Sequence, residues 1–361
     1  MPRQMPGGIS VTFVIMAGGR GERLWPLVRA ARPKVCLCPE GKCSLLQATI
    51  DRLRPAWPKA QWLIITTPEQ AAAVRADVPQ ALRRRVLVEP AIKNTAACMM
   101  LAAVAVARRD PNGIMVAVPA DQWVDRDVAF KTAVRAAIRA AISQDTIALV
   151  GIPATQPHTG FGYLCAGTPV EGFHHPAVFH IDRFIEKPTR ARARRLIAKP
   201  RTYWNSGIFV GSAENFLTQM TEWLPEHARQ LVPVAARVRR WNDATLRRAY
   251  RKLIPISFDY GVMDHLQGGV VVEGHFSWAD VGSWDTWMKL GYGSSHHVSV
   301  DSNNITVISQ QDDHLVATLG VHDLVIVRTP TATLICHPTR AQAVREVVKK
   351  ISADPRLASY R

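Results

Sequence analysis

Residues 11–27 read VTFVIMAGGRGERLWPL, and the first seven of them decide the fold. Val11 to Ala17 is an unbroken apolar run of strand length. A strand that is apolar at every position is buried on both faces, as in a parallel sheet. Gly18 and Gly19 follow at once, and Gly21 stands two residues on. Glycine lets the backbone take φ > 0 and come close to a ligand. Successive amide N–H groups in such a turn make a cradle for anions. A buried strand running straight into this turn therefore reads as a phosphate loop at the carboxyl edge of a sheet.

Two commoner phosphate loops are excluded. The dinucleotide fingerprint G-x-G-x-x-G has Gly19 and Gly21 but meets Leu24 at its third glycine. A Walker A loop fails because Gly41-Lys42 is followed by Cys43, and no glycine stands five residues earlier. What remains is another kind of loop. Arg23 gives it a planar, always charged fork for phosphate oxygens, and Lys34 follows in Arg32-Pro33-Lys34.

Working outward, WLIIT (62–66), VLVEP (86–90), IMVAV (114–118) and TIALVGI (146–152) predict further strands. Leu45, Leu46, Thr49, Ile50 and Leu53 share one helical face, so a helix is expected over 44–54. Phe130, Val134, Ala137, Ile138 and Ala141 predict another over 127–142. Ala96 to Arg108 is apolar nearly all round and predicts a buried helix, with Asn94 and Thr95 as its cap. Strands alternate with helices, so the expected class is α/β: a mixed, mainly parallel sheet with helices on both faces, Rossmann-like.

Beyond Thr159 the pattern changes. FGYLC (161–165), VFHIDRFIEKP (178–188) and WNSGIFV (204–210) predict strands beside that sheet. Helices are expected across 213–250 and over 258–266, and FSWADVGSW (276–284) reads as a strand and turn. ITVI (305–308), LVATL (315–319), LVIV (324–327) and ATLIC (332–336) are short strands, closed by a helix over 340–351. A domain boundary is therefore expected near 292, giving domains 1–292 and 293–361.

Composition limits the function. Of 361 residues, 47% are hydrophobic and 20% charged, which excludes disorder for the bulk of the chain. No run approaches the ~20 apolar residues of a bilayer span, and MPRQMPGGIS is too polar and broken for a secretory signal. The formal charge is +16. Its arginines are scattered over 83–85, 190–195, 239–240 and 247–248 without an aromatic platform, so a nucleic-acid partner is not expected. Six cysteines are too few for a disulfide scaffold, and the cluster Cys36, Cys38 and Cys43 matches no common zinc spacing.

Three further groups carry chemistry. Asp121 follows the strand 114–118 and Asp280 lies in the FSWAD turn; carboxylates at strand ends suit Mg²⁺, though such an Asp also caps helices. Glu186 and Lys187, with Asn205 and an open backbone at Gly162, suit a sugar and its phosphate, or an ordinary ion pair at a strand end. Glu89, Asn94 and Thr95 lie at a helix start, where free N–H groups collect.

The loop, together with P-K at 33–34, resembles the sugar-nucleotide pyrophosphorylase family, whose hallmark is G-G-x-G-x-R-L-x-P-L followed by P-K. It is most similar to the branch of bacterial mannose-1-phosphate guanylyltransferases. That branch is also matched, in order, by VEPAIKNTAA (88–97), PADQWVD (119–125), FGYL (161–164), FIEKP (184–188), YWNSGIFV (203–210), DYGVMD (259–264), FSWADVGSW (276–284) and GVHDLVIVRTPTATLIC (320–336).

The resemblance implies a nucleotide-diphospho-sugar transferase fold with a C-terminal unit like a short left-handed β-helix. It implies GTP and mannose 1-phosphate as substrates and Mg²⁺ as cofactor, and it leaves a homodimer open; a cytoplasmic location is expected from the sparse cysteines, read as reduced thiols. Ala17, Gly18, Gly19, Gly21, Glu89, Asn94 and Thr95 are implied on the nucleotide, and Gly162, Glu186, Lys187 and Asn205 on the sugar phosphate. Arg23, Lys34 and Lys187 are implied as catalytic cations, with Asp121 and Asp280 holding the metal. Longer relatives carry a cupin-type isomerase domain, for which 361 residues leave no room. The chain departs from the family pattern at Val28, at Val35-Cys36 and at Gln122. Those departures remove none of the charged groups and bear on substrate choice, keeping open another manno-configured sugar such as a heptose. A non-catalytic regulatory paralogue is the other alternative, and Arg23, Lys34, Asp121, Lys187 and Asp280, all present together, speak against it.

Overall fold

The computed structural model describes residues 9–29, 31–39, 43–125, 127–238, 240–290, 296–309 and 314–361. The expected boundary near 292 lies outside these residues. The larger, N-terminal part opens with β1 (Val11–Met16), α1 (Leu45–Leu53), β2 (Gln61–Thr66), α2 (Ala71–Asp77), β3 (Val86–Val88), α3 (Asn94–Ala107), β4 (Ile114–Pro119) and β5 (Gln122–Val124). It continues through α4 (Asp127–Ser143), β6 (Ala148–Pro153), β7 (Tyr163–His174), β8 (Ala177–Ile185), α5 (Arg190–Ile197) and β9 (Thr202–Ser212). Helices α6 (Ala213–Trp223), α7 (Pro225–Arg237), α8 (Ala244–Lys252) and α9 (Phe258–Gly261) then lead to β10 (Val270–Glu273), β11 (Trp278–Asp280) and α10 (Trp284–Lys289).

One sheet organises all of this, in the order β3-β2-β1-β4-β9-β6-β10-β8-β7. Strands β3, β2, β1 and β4 pair in parallel, as do β6 and β10; β9 and β8 run against their neighbours. The sheet is therefore mixed, with a parallel half that ends at the glycine turn. Successive β1 residues face opposite layers. Phe13 and Ile15 join Leu46, Ile50, Phe130 and Ile138 of α1 and α4, while Val14 joins Met99, Phe216 and Leu231 of α3, α6 and α7. This is why the run had to be apolar throughout. Helix α3 is likewise buried along Ala96–Val104, as its composition requires.

Local signals set several ends. Ser44 caps α1 with a reciprocal capping box to Gln47. Strand β8 ends at Ile185 rather than 188, because Lys187 takes φ +42°. The helix expected over 258–266 is two short pieces, α9 and a 3₁₀ turn at Met263–His265. The strand expected from 276 is only Trp278–Asp280.

The C-terminal part holds β12 (His297–Val300), β13 (Asn303–Ser309), β14 (Val316–Leu319), β15 (His322–Arg328), β16 (Thr333–Cys336) and α11 (Val344–Ala353). Strand β12 pairs in parallel with β14, and β13 with β15, in both cases nineteen residues apart: His297 opposite Val316, Asn303 opposite His322. A constant offset means stacked coils, the β-helix-like unit expected. It does not stand apart. Val325, Val327, Val344, Val348 and Ile351 share a core with Leu24, Trp25 and Leu27, just behind the glycine turn.

Candidate active site

The glycine turn is held by its backbone. Gly19 has φ +104° and Gly21 φ +60°. A Cβ on Gly21 would lie 2.9 Å from Lys34 Cβ, so glycine is required there for both conformation and space. Gln70 Nε2 donates to Gly19 O at 2.6 Å and pins the turn from β2's side. Ala17 is fully buried: its N–H donates to Ile65 O and its carbonyl accepts from Thr66 Oγ1. It forms the floor of the loop.

Lys34 follows Pro33 in a 3₁₀ turn and is buried against the loop. Its Nζ donates to Asp121 Oδ2 at 2.8 Å and to Asp280 Oδ1 at 2.9 Å. Asp121 stands in the turn after β4, and Asp280 ends β11. The antiparallel pairing of β5 with β11 sets Gln122 opposite Asp280 and so joins carboxylates 159 positions apart in the chain. Burial pulls the Lys34 ammonium down, but the charges of Asp121 and Asp280 outweigh it and hold the group above the usual lysine range. Burial would raise the Asp280 carboxyl; Lys34, and then Arg23 and His158, bring it below its ordinary value. Gly18, Gly19, Arg23, Lys34, Asp121 and Asp280 line one cleft of about 330 Å³, which Arg345 of α11 also borders.

Glu89 lies deeper, after β3. Its Oε1 is 3.9 Å from where a Gly18 Cβ would stand, and its other oxygen accepts from the Tyr250 hydroxyl of α8. Burial pushes the Glu89 carboxyl up to about 7, against the pull of Tyr250. Asn94 and Thr95 do not line the cleft. Asn94 Oδ1 accepts from Thr95 N–H, and Thr95 Oγ1 accepts from Phe258 N–H at 2.8 Å, tying α3 to α9.

A second group of residues collects where β7, β8 and β9 meet. Glu186 pairs with Lys187 and packs on Gly162, where an added Cβ would stand 2.6 Å from Glu186 Oε2. Asn205 Nδ2 donates to Asp259 Oδ1 at 2.9 Å, and Asn205 Oδ1 accepts from Gly207 N–H at 2.9 Å. Burial, then the charge of Glu186, pushes Asp259 up to about 6. Burial lowers Lys187, but Glu186, Asp259 and Tyr260 more than compensate. Gln122, beside Asp121, donates to Ser206 O at 2.6 Å and links this group to the cleft.

Three residues escaped the sequence reading. Asp259 stands inside the quoted DYGVMD stretch, where a first-turn acid looks like a helix partner. Tyr250 resembles a core aromatic of α8. Arg345 looks like any surface arginine on a closing helix, and only the docking of α11 brings it to the cleft.

No three His, Cys, Asp or Glu side chains among the described residues are placed to hold a metal together. Two partly exposed carboxylates beside a phosphate loop do fit a hard divalent ion that takes its other ligands from phosphate and water. Among the described residues no helix is long and apolar enough to cross a membrane.

Known proteins resemble this chain over nearly all of its length. The family described as nucleotidyl transferase matches residues 12–293, and the mannose-phosphate isomerase/GMP-like β-helix domain matches 295–351. The chain is 34% identical to mannose-1-phosphate guanylyltransferase ManC of Salmonella typhimurium, over 95% of its own length and 73% of that protein. It is 33% identical to mannose-1-phosphate guanylyltransferase of Escherichia coli K12, over 95% and 74%. A solved Thermus thermophilus protein described as a mannose-1-phosphate geranyltransferase superposes with a TM-score of 0.81 at 33% identity, over 95% of this chain and 99% of that one. Enzymes of this kind act on a nucleotide and a sugar phosphate and generally use a divalent metal. The chain belongs to the mannose-1-phosphate guanylyltransferases, a family of nucleotidyltransferase enzymes.

Proposed function

We propose that this enzyme makes GDP-mannose and pyrophosphate from GTP and α-D-mannose 1-phosphate, in the cytoplasm, with Mg²⁺ as its metal. Residues 1–292 form the nucleotidyltransferase domain in this reading and 293–361 the β-rich domain, as a monomer or homodimer. The observation that carries it is the cleft in which Lys34, between Asp121 and Asp280, meets the glycine turn and Arg23.

The nucleophile is an oxygen of the sugar phosphate, already anionic at pH 7, so the protein needs no general base. Its work is to bring two polyanions together in line and to offset their repulsion. Gly18, Gly19 and Gly21 cradle the triphosphate, and Arg23 neutralises it. Lys34 keeps the two carboxylates together, and its ammonium faces the α-phosphate. Lys187 takes the phosphate of the incoming sugar, while Glu186 and Asn205, steadied by Asp259, accept and donate to its hydroxyls. Bound to Asp121 and Asp280, Mg²⁺ would supply charge neutralisation between the two phosphate groups. At the base end, an ionised Glu89 accepts from guanine N1–H and the N2 amino group, an edge that adenine lacks.

Pyrophosphate release from GTP, ATP or UTP, each with mannose 1-phosphate, glucose 1-phosphate or a manno-heptose 1-phosphate, tests the assignment. GTP with mannose 1-phosphate is expected to be turned over fastest. Faster turnover of another pair would replace the substrates named here.

A further inference from the structure

Arg345 comes from the C-terminal part of the chain, yet borders the cleft of the glycine turn. Its position is fixed by its neighbours. Val344 and Val348 are buried, and with Ile351 they seat α11 on Leu24 and Leu27 behind the turn. Arg345 is left exposed, lining the same cleft as Arg20 and Arg23. The cations of this cleft differ in how far they are already satisfied. Lys34 is shared between Asp121 and Asp280, and Arg20 is 3.5 Å from Glu22. Among the described residues, Arg23 and Arg345 have no carboxylate within ion-pair distance, although the charge of Arg23 reaches Asp280. Lys187, Glu186 and Asn205 do not line this cleft, so Arg345 stands with the triphosphate and apart from the sugar.

We propose that Arg345 binds the terminal phosphates of the nucleotide, the part that leaves as pyrophosphate, so that the C-terminal domain completes the triphosphate site. This rests on the nucleotide reading given above. In-line displacement puts the entering sugar phosphate and the leaving pyrophosphate on opposite sides of the α-phosphorus. GTP and pyrophosphate therefore reach Arg345, whereas GDP-mannose, which lacks the leaving group, does not. A guanidinium fork on phosphate is a charge-assisted contact, and at an exposed rim its loss is expected to cost about 10-fold in affinity.

The test is calorimetry on the full chain in magnesium buffer with GTP, pyrophosphate and GDP-mannose as separate ligands. Arg345→Ala is expected to weaken GTP and pyrophosphate about 10-fold and to leave GDP-mannose within 2-fold. Arg345→Lys should recover part of the loss. Lys350→Ala, an equal charge change on the same helix away from the cleft, should bind all three normally. Unchanged GTP and pyrophosphate affinity in Arg345→Ala overturns the inference, and so does equal weakening of all three ligands. A wild-type chain that binds none of them overturns the nucleotide reading itself, and this inference with it.

Discussion

Replacing Gly162 with alanine should separate the two halves of the site. A Cβ there would stand 2.6 Å from Glu186 Oε2 and 3.0 Å from Phe184 Cζ. An ordinary carbon-to-oxygen contact is about 3.3 Å, so the carboxylate has to move by roughly 0.7 Å. It has little room: its side chain is 5% exposed, Lys187 holds one oxygen and Asp259 repels from nearby. A displacement of about 1 Å costs about 10²-fold in a positioned reaction, so roughly 30-fold is expected here. Backbone strain is not the cause, since Gly162 has no positive φ, and Asn205 N–H still donates to its carbonyl at 2.8 Å. Steady-state kinetics should show kcat/KM for mannose 1-phosphate falling by about 30-fold, with GTP affinity by calorimetry unchanged. If mannose 1-phosphate kinetics stay within 3-fold of wild type, or GTP binding falls in step, the placing of Glu186 on the sugar is wrong.

Asp280→Asn keeps the shape but removes one of the two charges on Lys34, and turnover should drop by about 10²-fold or more, with circular dichroism unchanged. Near-normal turnover would remove Asp280 from the mechanism. The Glu89 carboxyl is pushed up to about 7, so it gains its proton as pH falls through that value and loses its capacity to accept from guanine. The GTP-over-ATP preference should therefore decline from pH 8 to pH 5, a ratio in which the shared triphosphate cancels; Glu89→Gln should show a lower preference that does not vary with pH. Trp284 is fully buried, and its ring N–H donates to Trp25 O at 3.3 Å. Trp284→Ala should cost about 3–5 kcal/mol in urea unfolding and loosen the C-terminal coils from the turn.

How much of this the sequence disclosed depends on the range of the forces involved. Burial on both faces writes itself into composition, so Val11–Met16, Ile114–Pro119 and the all-apolar α3 were legible. The position of β9, antiparallel between β4 and β6, was not, because strand order is set by long-range pairing that leaves no local pattern. Helix α2, AAAVRAD, passed unnoticed since only Ala71 and Val74 of it are buried. The four-residue β12, HVSV, is short, and the face carrying Val298 and Val300 is exposed, so no buried run marks it. In the candidate site, Arg23, Lys34, Asp121 and Asp280 stood out because they follow a glycine turn or a strand end, and the resemblance supplied their proposed roles. Asp259 and Arg345 did not, since each acquires its neighbours only through elements that are distant in the chain.

The ammonium held between Asp121 and Asp280 has a consequence for handling the enzyme. These two acids are never left to repel each other, because the chain carries its own monovalent stand-in for the dication. Folding is thereby uncoupled from metal supply, unlike in domains whose ligands collapse only around an ion. Chelation should stop turnover without shifting the melting temperature, and the stripped protein should regain full rate when a divalent cation is returned.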